Sequence, residues 1–366
     1  MAVDLSDPTT RSLIRMAGLG LAPGWSPDQG PQTLSAASPA EALAATVSRI
    51  GALQSQHWRG ALHTLAMRTP DHSLATVREA FDRGLLVRTW PMRGTLHTVA
   101  AADLPWLLRA TLPRMDRQTA KRRLEFNIVE PVLQAAAETT HQALLDRPLT
   151  RNQLVAVWRE EGLIGKMPGR AYHIFMTLCY RGILALGPTD DGGEQLVVEL
   201  DLPKLMTDPY PVYIQRYFLS HGPATIEDLA RWSGLTKSSL RSDTSKARTR
   251  GILASTPSGT QQLWHRPDLD DIGEDVLDGL RQMILLSGFD ELIVGYGDRS
   301  CTLSPDHEGL ICPGGNGMFK HTIVENGHVV GTWRREDTGD PVPEWFASPT
   351  RAQLRAFDRA GAQLPS

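Results

Sequence analysis

The sequence predicts an α+β chain: three repeated units of helices and a β-hairpin, followed by a β-rich C-terminal region. Three observations carry this expectation. The phrase Arg-Gly-(Leu/Ile)-Leu recurs, in "DRGLLVR" from Asp82, "YRGILAL" from Tyr180 and "TRGILAS" from Thr249. Each copy follows a helix-periodic segment and opens a strand-like one. After about residue 280 the pattern turns to alternating, glycine-punctuated stretches.

The repeated phrase has a physical reading. Arg in a last helical turn complements the negative end of the helix dipole. Gly just beyond adopts the left-handed conformation that stops a helix, and the apolar pair then begins a strand. In the first unit, residues 40–50 and 74–81 read as helices, and "LLVRTWPMRGTLHTV" alternates and turns near Arg93-Gly94. In the second, Thr150 and Gln153 form a capping-box pattern, and Leu154, Val157 and Trp158 make a helical stripe that Gly162 ends. A helix from Tyr172 to Tyr180 comes next, then a strand at Ile183, a turn at Asp191-Gly192-Gly193 and a return through Leu196–Val198. In the third, Thr225 caps a helix with Asp228 three residues on, Ser233-Gly234 turns, and a second helix rich in Ser, Lys and Arg runs to Gly251.

Helix–turn–helix followed by a hairpin is the order of a winged helix. The expected division is 1–125, 126–205 and 206–272 for three tandem winged helices and 273–366 for the C-terminal region. The alternative is one α+β domain with coincidental Arg-Gly stops. In the C-terminal region "MILLSGFDELIVGYGDR" and "KHTIVENGHVVGTWRR" read as strand-rich, with Asn326-Gly327 as a hairpin turn. The Gly-rich "SPDHEGLICPGGNGMF" between them reads as a projecting hairpin or loop, and a short closing helix capped by Ser348 ends the chain.

Composition is that of a globular protein, 41% apolar and 22% charged, with a net charge of −3 that argues against a general nucleic-acid coat. The total hides local asymmetry. Residues 109–123 carry six cations and one acid, residues 237–250 five cations and one acid. Basic stripes on a mildly acidic chain suit a protein that offers nucleic acid one face, although each is also readable as a solvated helix face. Three cysteines without a Cys-x-x-Cys pair fit free thiols in a reducing cytoplasm. No apolar run approaches 18 residues and no secretory h-region is present, so a cytoplasmic protein away from membranes is expected. No phosphate-cradling loop supports a nucleotide cofactor, and no Gly-x-Ser-x-Gly elbow supports a serine hydrolase. Cys301, His307, Cys312 and His321 fit no short zinc module, so neither metal nor cofactor is expected.

The stretch "GALQSQHWRG" holds two glutamines, Gln54 and Gln56, one residue apart and just before Trp58 and Arg59. On a strand or extended loop they point the same way and converge on one small volume; at a helix end they are a capping pair. Arg88, Arg93 and His97 lie on or near the turn of the first hairpin, either as hairpin residues or facing phosphates or a lesion.

"GALQSQ", "VRTWPMRGTLHTVAAAD", "LLSGFDELIVGYGDR" and "GHVVGTWRR" together resemble the winged-helix DNA glycosylases of the AlkZ and YcaQ type, over roughly residues 40–335. The resemblance implies a C-shaped stack of three winged helices with a basic concave face. It implies a monofunctional enzyme that hydrolyses the N-glycosidic bond of bulky N7-alkylguanine adducts or crosslinks, in resistance to a genotoxic natural product. The family motif of Gln, a small or aliphatic residue, then Gln or Asp maps onto Gln54-Ser55-Gln56, with Ser55 departing from an aliphatic middle residue. The all-Gln form resembles the antibiotic-resistance branch. A family hairpin that enters the minor groove corresponds by position to part of residues 304–319.

Gln54 and Gln56 are therefore the expected catalytic pair. Trp58, Arg59, Arg88, Arg93, His97, Arg117, Lys121, Arg122, Arg123, Lys237, Arg241 and Lys246 are the expected DNA contacts. The expected partner is double-stranded DNA carrying alkylated guanine, bound by a monomer. A non-enzymatic reading stays open, as a winged-helix transcription regulator or a lesion-shielding protein.

Overall fold

The three Arg-Gly phrases close helices in one way. Gly84, Gly182 and Gly251 have φ of 66°, 76° and 71°. In each case the residue after the glycine donates back five residues, Leu85 to Ala80, Ile183 to Leu178 and Ile252 to Ala247. That bond satisfies a carbonyl the last turn leaves free, and only glycine enters this conformation without strain.

The structure is a computed structural model that describes residues 3–22, 38–203, 207–336 and 339–365. Its fold is mixed α+β. Helix α1 (Pro8–Gly18) precedes the first unit: α2 (Pro39–Ile50), β1 (Leu53–Gln54), α3 (Trp58–Ala66), α4 (Leu74–Asp82), β2 (Leu86–Met92) and β3 (Thr95–Ala100). The second unit has α5 (Leu104–Glu125), α6 (Glu130–Asp146), α7 (Arg151–Glu160), α8 (Arg170–Tyr180), β4 (Leu184–Thr189) and β5 (Gln195–Glu199). The third has α9 (Tyr210–His221), α10 (Ile226–Ser233), α11 (Lys237–Thr249), β6 (Ala254–Ser258) and β7 (Gln261–His265). The C-terminal region adds α12 (Glu274–Leu280), β8 (Ile284–Leu286), α13 (Glu291–Val294), α14 (Glu308–Ile311), β9 (His321–Glu325), β10 (His328–Arg335), β11 (Pro341–Trp345) and α15 (Arg351–Ala362).

Both expected capping boxes form, Thr150 with Gln153 and Thr225 with Asp228. The first two hairpins merge into a five-stranded sheet of order β1-β3-β2-β4-β5, joined where Arg88 faces Leu186. The third hairpin, β6–β7, stands alone, and β11-β10-β9-β8 form a separate antiparallel sheet. One large core runs from α1 and α2 through α9 and α10 to Leu292 and Tyr296, so the first and third units and the C-terminal region share it. A second core joins Trp90 of β2 to α6, α7 and α8, and a third packs β8 to β10 against Phe357 of α15.

Three local expectations are corrected. "FDELIV" is helical rather than strand, because the Asp290 side chain accepts from the Leu292 N–H and caps α13. Of the two readings of residues 304–319, hairpin or loop, the hairpin is the one overturned: the segment runs through short helical turns. Pro305 and Pro313 cannot donate to a ladder, and Gly314, Gly315 and Gly317 all have positive φ. The closing helix is capped by Thr350, not Ser348, because Thr350 has Gln353 three residues on to complete a capping box. The expected boundary between 205 and 206 lies outside the described residues. Among the described residues no helix is long and apolar enough to cross a membrane, and no group of His, Cys, Asp or Glu is arranged to hold a metal.

Candidate active site

The question of whether Gln54 sits on a strand or a helix is decided by β3. Gln54 pairs with His97 and Leu53 with Thr98, which fixes β1 as the edge strand of the sheet. The next residue continues the extended path, with the Ser55 N–H on the Leu96 carbonyl at 2.7 Å. Ser55 is buried, and its hydroxyl lies 2.8 Å from both the Leu53 carbonyl and the Thr98 hydroxyl. A hydroxyl in place of an aliphatic side chain is thus matched by the Thr98 hydroxyl on the neighbouring strand.

Gln54 and Gln56 line one cavity of about 320 Å³. Arg93, Thr95 and Arg231 share its polar side, and Phe289, Val294, Met318 and Phe319 form an apolar wall. Among the described residues no carboxylate lines it. The Gln56 Oε1 accepts from the Leu96 N–H at 3.3 Å, and the Gln54 Oε1 accepts from Arg93 Nη2 at 3.2 Å. Arg93 sits in the tight turn between β2 and β3 with φ of 56°, which aims its side chain back over the strands.

Two residues expected to face DNA point inward instead. Arg88 is buried: its Nε donates to the Ser55 carbonyl at 2.7 Å, its Nη2 to the Gln56 carbonyl at 3.1 Å and its Nη1 to Gln195 Oε1 at 2.9 Å. It is a clamp on the backbone of the glutamine motif, because its β2 position faces the sheet junction rather than solvent. Burial pushes its guanidinium down to about 10, still charged at neutral pH. His97 is fully buried on β3, with Nδ1 2.9 Å from the Thr95 carbonyl and Nε2 3.3 Å from Arg93 Nη2. Burial, helped by Arg93, pushes it down to about 3. It is neutral, with Nδ1–H donating and Nε2 accepting from Arg93.

The remaining expected contacts divide. Trp58 is half-buried at the start of α3, where its Nε1 donates to the Gly193 carbonyl at 3.2 Å and the Arg88 guanidinium lies over its ring. Arg59, Arg117 and Arg241 are exposed. Lys121 and Arg122 pair with Glu125 and Lys237 with Glu227 at exposed positions where such pairs are weak, and the exposed Lys246 pairs with the half-buried Asp243. Arg123 is held inward by Asp116 at 3.2 Å and by the Tyr180 hydroxyl.

Sequence reasoning passed over three residues. Glu291 is fully buried behind β1, where Oε1 accepts from the Gln54 N–H at 2.9 Å and Oε2 accepts from Trp232 Nε1 at 3.0 Å, with His221 Nε2 at 3.4 Å. Burial alone raises a carboxyl, but His221 and the Gln54 N–H hold this one below its ordinary value. Arg231 lines the cavity and donates through Nη1 to the carbonyls of Val294 and Tyr296. Arg114, inside the basic run of α5, lines a neighbouring cleft. The available signals were an acid inside an apolar run for Glu291 and the basic run itself for Arg114; nothing local marked Arg231.

The family profile described as DNA glycosylase AlkZ-like matches residues 47–365. An interstrand DNA cross-link repair glycosylase of Streptomyces sahachiroi is 25% identical over 358 residues, covering 87% of this chain and 88% of the relative. The solved structure of Streptomyces sahachiroi DNA glycosylase AlkZ superposes with a TM-score of 0.73 at 22% identity, over 97% of this chain and 95% of that one. On the extent of that family match, the chain belongs to the AlkZ-like DNA glycosylases.

Proposed function

We propose that this protein hydrolyses the N-glycosidic bond of guanine alkylated at N7, as a bulky monoadduct or an interstrand crosslink, with Gln54 and Gln56 as the catalytic pair. The carrying observation is a cavity lined by both carboxamides and, among the described residues, by no carboxylate. An amide positions but is not a strong base. It therefore suits a base that is already a good leaving group. N7-alkylguanine is cationic, so it departs with the C1′–N9 electron pair as a neutral molecule and needs no general acid. A water held against the amide oxygens forms the new C1′–O bond, and its proton passes to bulk water. Oxygen dipoles facing the oxocarbenium-like sugar, together with fixed placement of that water, lower the barrier. The relative's designation as a cross-link repair glycosylase supports the crosslink as one substrate.

In this reading the three helix–hairpin units are winged helices divided at 1–125, 126–205 and 206–272, with 273–366 as a fourth part. The protein works as a cytoplasmic monomer in resistance to a DNA-alkylating natural product. Arg59, Arg117, Lys121, Arg122, Lys237, Arg241 and Lys246 meet backbone phosphates without reading sequence. Arg93 and Trp58 stand at the lesion.

The test is base release from duplex carrying N7-alkylguanine, by wild type and by Gln54→Ala/Gln56→Ala. Release by wild type alone is the expected result. Binding without release makes the protein a lesion shield, preference for one unmodified sequence makes it a regulator, and either overturns the proposal. Comparable excision of uncharged bases refutes the role given to the amides.

A further inference from the structure

A second cleft, of about 490 Å³, opens beside the glutamine cavity where α5 meets the turn between α10 and α11. Three guanidinium groups line it, those of Arg93, Arg114 and Arg231, together with Gln118 and Thr119, and among the described residues no carboxylate does. Arg114 has neither a hydrogen bond nor an ion pair among the described residues, and its Nε and that of Arg93 are buried without a partner. Like charges gathered in this way repel: burial weakens the charged form of Arg93, and the neighbouring Arg231 adds to this while Glu291 behind β1 opposes it. Among the described residues lining the cleft none carries a negative charge to neutralise them. Gly234 permits the arrangement: a Cβ there would stand 3.3 Å from Arg93 Cγ and 3.6 Å from Arg114 Nε. Cations from the first hairpin, from α5 and from α10 are thus brought to one place.

We propose that this cleft binds a single phosphodiester of the DNA, within one nucleotide of the lesion, with Arg114 as its main ligand. The proposal rests on the DNA-repair reading above and adds the anion that the cavity next door needs. Arg93 and Arg231 line both spaces. Glu291 behind β1 offsets Arg93 only in part, so without a further anion Arg93 and Arg231 present net positive charge to a cavity that receives a cationic base, an unfavourable pairing. A phosphate in the cleft neutralises that charge and fixes the register of the strand. Planar guanidinium groups suit the task, since they bind phosphate oxygens through paired N–H donors.

The test scans single neutral methylphosphonates through a duplex carrying one N7-methylguanine and measures the affinity of wild type, R114A and R114Q. One position beside the lesion weakens wild type by about tenfold, and the same substitution changes either variant by less than about twofold. A general folding defect lowers affinity at every position and leaves the scan's profile intact, so the two causes separate. A flat wild-type scan, or variants that keep the wild-type peak, overturns the proposal. Inorganic phosphate alone is the second arm. If it raises the Tm of wild type but not of R114A while the scan stays flat, the cleft holds a free anion and the DNA assignment fails. Absence of base release by wild type, with the scan peak present, refutes the glycosylase reading and leaves this one standing.

Discussion

Acid should unfold this protein through two histidines that cannot carry charge where they sit. Burial pushes His63 down to about 4 and His97, with help from Arg93, down to about 3. Both are depressed from the ordinary value near 6.5, so the unfolded chain takes up protons that the folded one refuses. The contribution is full above the unfolded pKa and is lost as pH falls toward the folded one. From pH 8 to pH 5 each histidine removes about 2 kcal/mol, or about 4 kcal/mol together. That is a large part of a typical domain's margin of roughly 5–15 kcal/mol. His221, His265 and His321 are shifted the same way and add to the loss. The assay is urea denaturation of wild type and His97→Gln at the two pH values. Gln keeps an acceptor for Arg93 but has no proton to gain, so the variant should lose about 2 kcal/mol less than wild type across the window. Equal losses in the two proteins would refute the reasoning.

Glu291→Gln leaves one oxygen facing the N–H groups of Gln54, Trp232 and His221. It should cost about 2–4 kcal/mol in denaturation and lower base release more than about tenfold, whereas Trp232→Phe, which removes only one donor, should spare base release. Arg88→Met strands the carbonyls of Ser55 and Gln56. It should cost about 3–5 kcal/mol while the salt dependence of DNA binding stays as in wild type; a slope lowered by about one unit would make Arg88 a phosphate contact after all. Gly288→Ala places a Cβ 2.1 Å from the Phe319 carbonyl oxygen. The loop behind the apolar wall must move, so the melting temperature should drop by several degrees, for a cost of about 1–3 kcal/mol.

The features legible in the sequence were those whose partners lie within a few residues. Thr225 and Asp228 meet across one turn, and Arg250-Gly251 stops α11 without outside help. Asn326-Gly327, with φ of 51° and 77°, supplies its own hairpin turn. The paired glutamines were visible as a pattern, but the strand beneath them was not. That strand exists because Gln54 meets His97, and nothing in "GALQSQ" announces a partner so far along the chain. Arg88 shows the limit most plainly. A cation near a hairpin turn reads as a phosphate contact until the fold aims it at Ser55 and Gln56.

Buried charge explains the remaining gap and also the design of the site. Asp290 and Glu291 looked like acids interrupting a strand, yet each is fully buried against donors from distant elements. Asp290 takes both Nη atoms of Arg68, at 2.9 and 3.1 Å, 222 residues away in sequence. Glu291 reaches β1 through Gln54, α9 through His221 and α10 through Trp232. An unpaired carboxylate in such a place would be strongly unfavourable, so the surrounding elements must dock together for either acid to be satisfied. The negative charge that counters Arg93 therefore lies behind the glutamine backbone, outside the cavity. Under the proposed mechanism this keeps a strong base away from the attacking water and leaves the two amides as the groups that meet it. It also makes the conformation of Gln54 a property of the first unit, the third unit and the C-terminal region acting together, which is why the glutamine motif cannot be understood from the first unit alone.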